Sequence, residues 1–202
     1  PLSVNDEVLK TIGRKHTAQQ FFDAFELARK CGFDNINTDL IAGLPTDTPE
    51  SFKNSLDSIV RLNAECITVH TLCMKRASRL TTEGVTLDLQ QARDAREMLA
   101  YTQNILGQNE YIPYYMYRQS RMVGNLENVG WSKKGFESLY NVYVMDETHT
   151  ILACGSGGVT KLKRNNPDYL ERIFNFKYPY EYIDRFDELI QRKSGIMQFY
   201  GQ

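Results

Sequence analysis

An α/β fold led by parallel strands is what this 202-residue sequence predicts, and three observations carry the prediction. Helix and strand patterns alternate over residues 17–72 in the order α-β-α-β, with the short connections that right-handed parallel crossovers use. The strand pattern over 35–41 is polar on one face, which is unusual where both faces of a parallel sheet are covered. A tight turn, Ala42-Gly43-Leu44-Pro45, then leads directly into the next helix. Two strands cannot close a sheet, so further strands have to come from elsewhere.

Each element has local signals. Asn5 is placed to cap a first helix with Val8, Leu9 and Ile12 on one face, and Gly13 can close it in the left-handed conformation. Thr17 caps a second helix, with Gln20 at the capping-box position and a stripe of Phe21, Ala24, Phe25 and Ala28. Lys30 suits its negative end and Gly32 is the stop. In the strand over 35–41, alternation puts Ile36, Thr38 and Leu40 on one face and Asn37, Asp39 and Ile41 on the other. Thr48 caps a third helix with Pro49 in its first turn, burying Phe52, Leu56, Ile59 and Val60, and a strand over 66–72 follows.

Beyond a basic stretch (Lys75, Arg76, Arg79), Asp88 opens a long helix whose inner face includes Ala92, Ala95, Met98, Thr102 and Leu106. The texture then changes. An aromatic strand-like run covers 111–118 and a Gly/Asn-rich loop covers 123–135. Strands are expected over 139–145 and 150–154, around the turn Asp146-Glu147-Thr148-His149. The tail from Pro167 reads as helical and aromatic, and is strongly charged over 180–193. This change reads either as a boundary near residue 110, between a parallel-strand part over 1–110 and a mixed α+β region over 111–202, or as two textures within one core.

The composition narrows the function classes. Lys and Arg total 24 against 25 Asp and Glu, so the overall charge calls for neither nucleic acid nor an anionic membrane as partner. No apolar run approaches the ~18 residues of a membrane span, and no signal-peptide order opens the chain. A cytoplasmic globular protein is expected. Cys31, Cys66, Cys73 and Cys154 have no compact metal-ligand spacing and the three histidines are equally dispersed, so no metal site within these residues is expected. The opening Pro1-Leu2-Ser3, without Met and leading at once into helical patterning, reads as part of a longer chain.

Asp39 is the most informative residue. An inward carboxylate is costly unless paired or hydrogen-bonded. It is either a structural group bonded to backbone or to Arg14, or an acceptor for ribose hydroxyls at a ligand-binding strand end. Arg14 can extend into solvent or clamp a ligand carboxylate with two parallel hydrogen bonds. Gly155-Ser156-Gly157-Gly158 is a flexible turn or an anion-binding nest, and lacks Walker or Rossmann spacing. Tyr114, Tyr115, Tyr117 and Arg118 are packing residues or a stacking, basic surface for a flat anionic ligand.

Two stretches taken together, residues 5–16 (NDEVLKTIGRKH) and 36–45 (INTDLIAGLP), resemble the radical S-adenosylmethionine enzymes of the oxygen-independent coproporphyrinogen III oxidase group. That group shows a GR-H turn before a helix, DLI-GLP on a barrel strand and a T-ESF-like helix start, which here is Thr48-Pro49-Glu50-Ser51-Phe52. The stretches 114–119 (YYMYRQ) and 124–130 (GNLENVG) are similar to its coproporphyrinogen dehydrogenase branch.

The resemblance implies a partial (β/α) barrel of the radical S-adenosylmethionine type followed by a mixed α+β region. It implies S-adenosylmethionine as cofactor, with Asp39 on its ribose, Arg14 on its carboxylate and Ile41 beside its adenine. It also implies a [4Fe–4S] cluster on a CxxxCxxC loop, a reducing electron donor and a porphyrinogen substrate that loses two propionate carboxyls to give vinyl groups. Tyr115, Tyr117 and Arg118 are the candidate substrate contacts. No CxxxCxxC occurs in these residues, so the expectation is a carboxyl-terminal portion, inactive alone. The competing readings are a haem-carrying chaperone of the same group, a radical enzyme with another substrate, and an α/β domain whose motif residues are purely structural.

Overall fold

The computed structural model describes residues 1–73, 89–118, 122–166 and 168–201. Lys75, Arg76, Arg79, Asp88, Gln119 and Pro167, all used in the sequence reading, lie outside the described residues. The chain divides into two compact units, Pro1–Ser138 and Leu139–Gln202.

The first unit contains helices α1 (Asp6–Thr11), α2 (Ala18–Lys30), α3 (Pro49–Arg61) and α4 (Leu89–Gln108). Its strands are β1 (Asn37–Ala42), β2 (Cys66–Thr71), β3 (Ile112–Tyr117) and β4 (Asn128–Ser132). The caps form as their sequence signals require. Asn5 accepts from the N–H groups of Glu7 and Val8, Thr17 and Gln20 make a full capping box, and Thr48 accepts from Ser51. Gly13 and Gly32 take φ of 74° and 89° just past the helix ends, where a side chain would be strained.

The sheet order is β1-β2-β4-β3, with β1 and β2 parallel and β4 antiparallel to both neighbours. Leu2 pairs beside β1: its N–H donates to the Asp39 carbonyl and its own carbonyl accepts from Ile41. Strand β4 occupies the stretch expected to be a loop. Asn128 and Gly130 disfavour a strand in isolation, but pairing on both sides supplies hydrogen bonds that local propensity does not foresee.

One face of the sheet carries the core. Leu40, Ala42, Ile67 and Val69 meet Phe52, Leu56 and Ile59 of α3 and Met98 and Leu106 of α4, all essentially solvent-free. Each such large apolar side chain contributes roughly 1.5–3 kcal/mol through burial. Helix α2 is less deeply seated than its stripe suggests: Phe25 is buried, whereas Ala24 is exposed and Phe21 only packs alongside. Arg29 at its end reaches Glu65 at 2.7 Å, and Glu65 also accepts from the Ile36 N–H. A second cluster joins Val8 of α1 to Leu44, Leu72, Ala95 and Val123, with Ile12 and Ile41 against it.

Residues 111–138 pack with the first unit. Tyr111 is buried and its hydroxyl donates to the Ala64 carbonyl, while β3 and β4 complete the sheet. The division between compact units falls after Ser138.

The second unit holds α5 (Leu139–Asp146), the β5 (Val159–Asn165) and β6 (Asp168–Phe174) hairpin, α6 (Pro179–Asp184), α7 (Phe186–Lys193) and α8 (Gly195–Phe199). Three expectations are corrected here. Residues 139–145 are helical despite their β-branched and aromatic content. Residues 150–154 form only an isolated bridge, Ile151 to Lys161. The hairpin is instead β5–β6, which takes in residues read as the start of a helical tail. In each case the available partner strand, not the residue preference, decides.

Candidate functional site

The site is the sheet face opposite the core, and strand register assembles it. Asp39 pairs with Thr68, Thr68 with Gly130, and Gly130 with Tyr115, so these four lie in one row across four strands. On the next row Ile41 pairs with His70 on β2, and Tyr117 pairs with Asn128. Side chains two apart on a strand share a face, so Asn37, Asp39 and Ile41 look out beside Thr68 and His70.

Gly130 makes the row fit. A Cβ built there would lie 1.8 Å from Cε1 of Tyr115, so only glycine lets the phenol ring lie across β4. The Tyr115 hydroxyl thereby reaches Thr68 Oγ1 at 3.2 Å, and Tyr117 crosses in the same way to His70 Nδ1 at 3.2 Å. The two phenol rings are parallel to within 6°, with centroids 6.3 Å apart.

The polar groups form two arms that converge on one carboxylate. Thr68 donates to Asn37 Oδ1 at 3.2 Å, and Asn37 Nδ2 donates to Asp39 Oδ1 at 2.9 Å. With the Thr68 proton used, the Tyr115 hydroxyl is the donor to Thr68. On the other arm, His70 Nε2 stands 3.7 Å from the same Asp39 oxygen. Burial pushes the Asp39 carboxyl upward, but the nearby His70 imidazole and the hydrogen bond from Asn37 outweigh it, holding the pKa below the usual value. Burial, with the Asp39 charge adding, pushes both Tyr115 and Tyr117 upward, so both phenols stay protonated donors. Asp39 keeps 45% of its side chain exposed, and the contacts fall on Oδ1. An ionised acceptor is thus presented on an open face.

Of the residues singled out in the sequence, Asp39, Ile41, Tyr115 and Tyr117 share this face. Ile41 is half-buried and leans on the Ile12 and Val8 cluster. Arg14 lies past the end of α1, exposed, its N–H donating to the Leu9 carbonyl. Arg118 pairs with Glu127 at 2.9 Å, and Glu127 lines a cleft of about 620 Å³ together with Tyr114, Tyr115, Met116 and Trp131. Gly155, Gly157 and Gly158 donate their N–H groups to Tyr182, Phe176 and Gly155, so the proposed anion nest is closed by the fold.

Thr68, His70 and Gly130 escaped the sequence reading. The signal for the first two was present: Cys66, Thr68 and His70 alternate with Ile67 and Val69, the same polar period as 37–39–41. Among the described residues, no group of three His, Cys, Asp or Glu side chains could hold a metal ion. No helix among them is long and apolar enough to cross a membrane.

A helix-backed sheet led by a parallel pair thus carries a polar row with one carboxylate, Asp39, on its open face. Comparisons with known proteins give this chain its relatives. Residues 2–59 match the model of the radical SAM superfamily. Over 198 residues, 98% of the chain, it is 37% identical to the oxygen-independent coproporphyrinogen-III oxidase-like protein HemZ of Bacillus subtilis, covering 40% of that protein. It is 32% identical over 171 residues to the heme chaperone HemW of Lactococcus lactis, covering 80% of this chain and 41% of that one. The coproporphyrinogen III oxidase HemN of Escherichia coli, described as a radical SAM enzyme, shares the fold with a TM-score of 0.65 at 19% identity, over 93% of this chain and 42% of that one. Residues 2–59 thus carry the radical SAM match, and nearly the whole chain is similar to a coproporphyrinogen oxidase-like protein. The chain spans about 40% of the length of the curated relatives it matches.

Proposed function

We propose that the intact protein is a radical SAM oxidoreductase that converts coproporphyrinogen III to protoporphyrinogen IX, and that this chain supplies one wall of its reaction chamber. The observation that carries the reading is Asp39, an ionised carboxylate held by two converging donor arms on an open sheet face. That donor set fits a ribose diol, whose two hydroxyls need an acceptor already oriented and charged. Arg14 would hold the amino-acid carboxylate of S-adenosylmethionine and Ile41 would flank its adenine. When bound, S-adenosylmethionine beside a reduced [4Fe–4S] cluster supplies a 5′-deoxyadenosyl radical able to take hydrogen from a propionate side chain.

The cysteines of this chain do not fit that cluster. Cys31 and Cys154 are exposed, and burial pushes the Cys66 thiol up to about 11, where it is not a thiolate. The cluster ligands and the contact with an electron donor are therefore assigned to other sequence of the intact protein. Within this chain, Tyr115 and Tyr117 offer parallel rings to the tetrapyrrole, and Arg118 would exchange Glu127 for a substrate propionate. A cytoplasmic setting accords with oxygen-sensitive chemistry of this kind.

A second reading rests on the similarity to the heme chaperones: the intact protein binds haem and transfers it without oxidising a porphyrinogen. One experiment separates the two. The intact protein, cluster-reconstituted without oxygen, is incubated with S-adenosylmethionine, a reductant and coproporphyrinogen III, and 5′-deoxyadenosine and protoporphyrinogen IX are measured together. Both products are expected, and Asp39→Ala should abolish both. The nucleoside without the porphyrin would keep the radical chemistry and remove the substrate. Neither product from cluster-loaded protein would leave the carrier reading.

A further inference from the structure

Of the groups on the open face, His70 is the one that touches both halves of it. Its Nδ1 meets the Tyr117 hydroxyl at 3.2 Å and its Nε2 faces Asp39 Oδ1 at 3.7 Å. A neutral ring satisfies both contacts in one tautomer only: Tyr117 donates to Nδ1, and the Nε2 proton points at the carboxylate. Protonation changes this arrangement. Both nitrogens then donate, so the Tyr117 hydroxyl must turn to accept, and Asp39 Oδ1 is drawn into an ion pair.

We infer that His70 is a positioning residue that couples the two ligand sites of this face, aiming Asp39 for the cofactor-side ligand and Tyr117 for the substrate-side ligand. The inference rests on the reading of Asp39 as the acceptor for S-adenosylmethionine. A neutral imidazole leaves Asp39 with full acceptor strength. A charged one competes for that strength and repels the sulfonium of the same ligand. The charged and titratable groups around the ring are Asp39 from β1, Tyr117 and behind it Tyr115 from β3, and Cys73 just past the end of β2. Neutral Asn128 stands beside Tyr117. Asp39 is held ionised and both phenols protonated. The imidazole is the group of this set that can accept from Tyr117 and face Asp39 at the same time.

The test is equilibrium binding of S-adenosylmethionine to the intact, cluster-loaded protein at several pH values between 5.5 and 8. The proteins compared are the parent, His70→Gln, His70→Phe and Asp39→Asn, each checked for cluster content and secondary structure. The parent should lose about fivefold or more in affinity toward the acid end, the scale of one charge-assisted hydrogen bond. His70→Gln keeps a neutral donor toward Asp39, so it should match the parent at pH 8 and show no acid loss. His70→Phe should bind about tenfold more weakly at pH 8 and be equally flat, since the aiming donor is gone. A parent profile without the acid step, or the same step retained in His70→Gln, overturns the inference. Failure of Asp39→Asn to weaken binding at any pH would instead remove the functional reading on which it stands. S-adenosylhomocysteine, measured in parallel, separates carboxylate aim from charge repulsion: a step kept with this uncharged sulfur supports aiming. A step lost with it overturns the positioning role and leaves repulsion alone.

Discussion

Gly130 shows how much of the site hangs on one absent side chain. The nearest Tyr115 atoms lie 1.8, 2.4 and 2.6 Å from where its Cβ would sit, far inside any contact a ring and a methyl can share. Gly130→Ala must therefore expel the phenol from its seat and break its bond to Thr68. A loss of about 1–3 kcal/mol is expected from such overpacking, read by urea unfolding. In a Tyr115→Ala background the same substitution should cost almost nothing, and an unchanged cost there would mean that another neighbour sets it. Nothing in the sequence flags this glycine, because its φ is ordinary and its reason is a ring fifteen positions away in sequence. The alternation of β2 marks His70 as an outward position but not what it meets: its two partners lie on β1 and β3, and register alone brings them to it.

At the scale of elements, the junction between β1 and α3 carries an unusual carboxylate. Both oxygens of Asp47 are buried without a hydrogen-bond partner, one residue before the Thr48 cap. Burial raises its pKa, and nearby Ser51 and the Thr48 backbone, close but outside good bonding geometry, offset only part of the rise. The sign for stability follows from linkage. Below the ordinary aspartate range both folded and unfolded chains are protonated there and no penalty exists. As pH rises toward and through the raised folded value, the unfolded chain ionises first and stability falls. Asp47→Asn should remove this loss, so its melting temperature should gain on the parent as pH rises above about 4, then run parallel once Asp47 is ionised in the fold. A gain that does not grow with pH would mean that Asp47 stays solvated.

The same junction marks where sequence was a good guide. Asn5, Thr17 with Gln20, and Thr48 with Pro49 each act on a backbone within three residues, so spacing alone places them. Asp39 and Ile41 were placed together by the two-residue period of one strand. Residues 139–146 were misread because Val, Tyr and Leu suit a strand only when a partner strand exists, and there the partner pairing went to β5 and β6. Strand β4 was missed for the opposite reason, since its Asn and Gly hid a place that two neighbours had already shaped. Arg118 had the right chemistry for a propionate, but Glu127, nine residues on, already holds it.

For the whole molecule, the two compact units predict where the chain opens first to a protease. The linking stretch contains exposed Lys134 and Gly135, whereas Tyr111 is buried between α4 and β3. Brief treatment with a protease of broad specificity, such as proteinase K, should cut near 134 before any cut near 110, with fragment masses showing the site. An early cut at 108–112 would shift the division back to the change in texture. The sheet order itself has a consequence in time. Strands β1 and β2 are joined by a single helix and can pair as soon as residue 71 has left the ribosome. The other edge of β2 must wait for β4, which begins at Asn128. At ~5–20 residues per second that interval is about 3–11 seconds, during which Thr68 and His70 sit on an unpaired edge. The nascent chain is then most open to wrong partners at the strand that later joins both halves of the site.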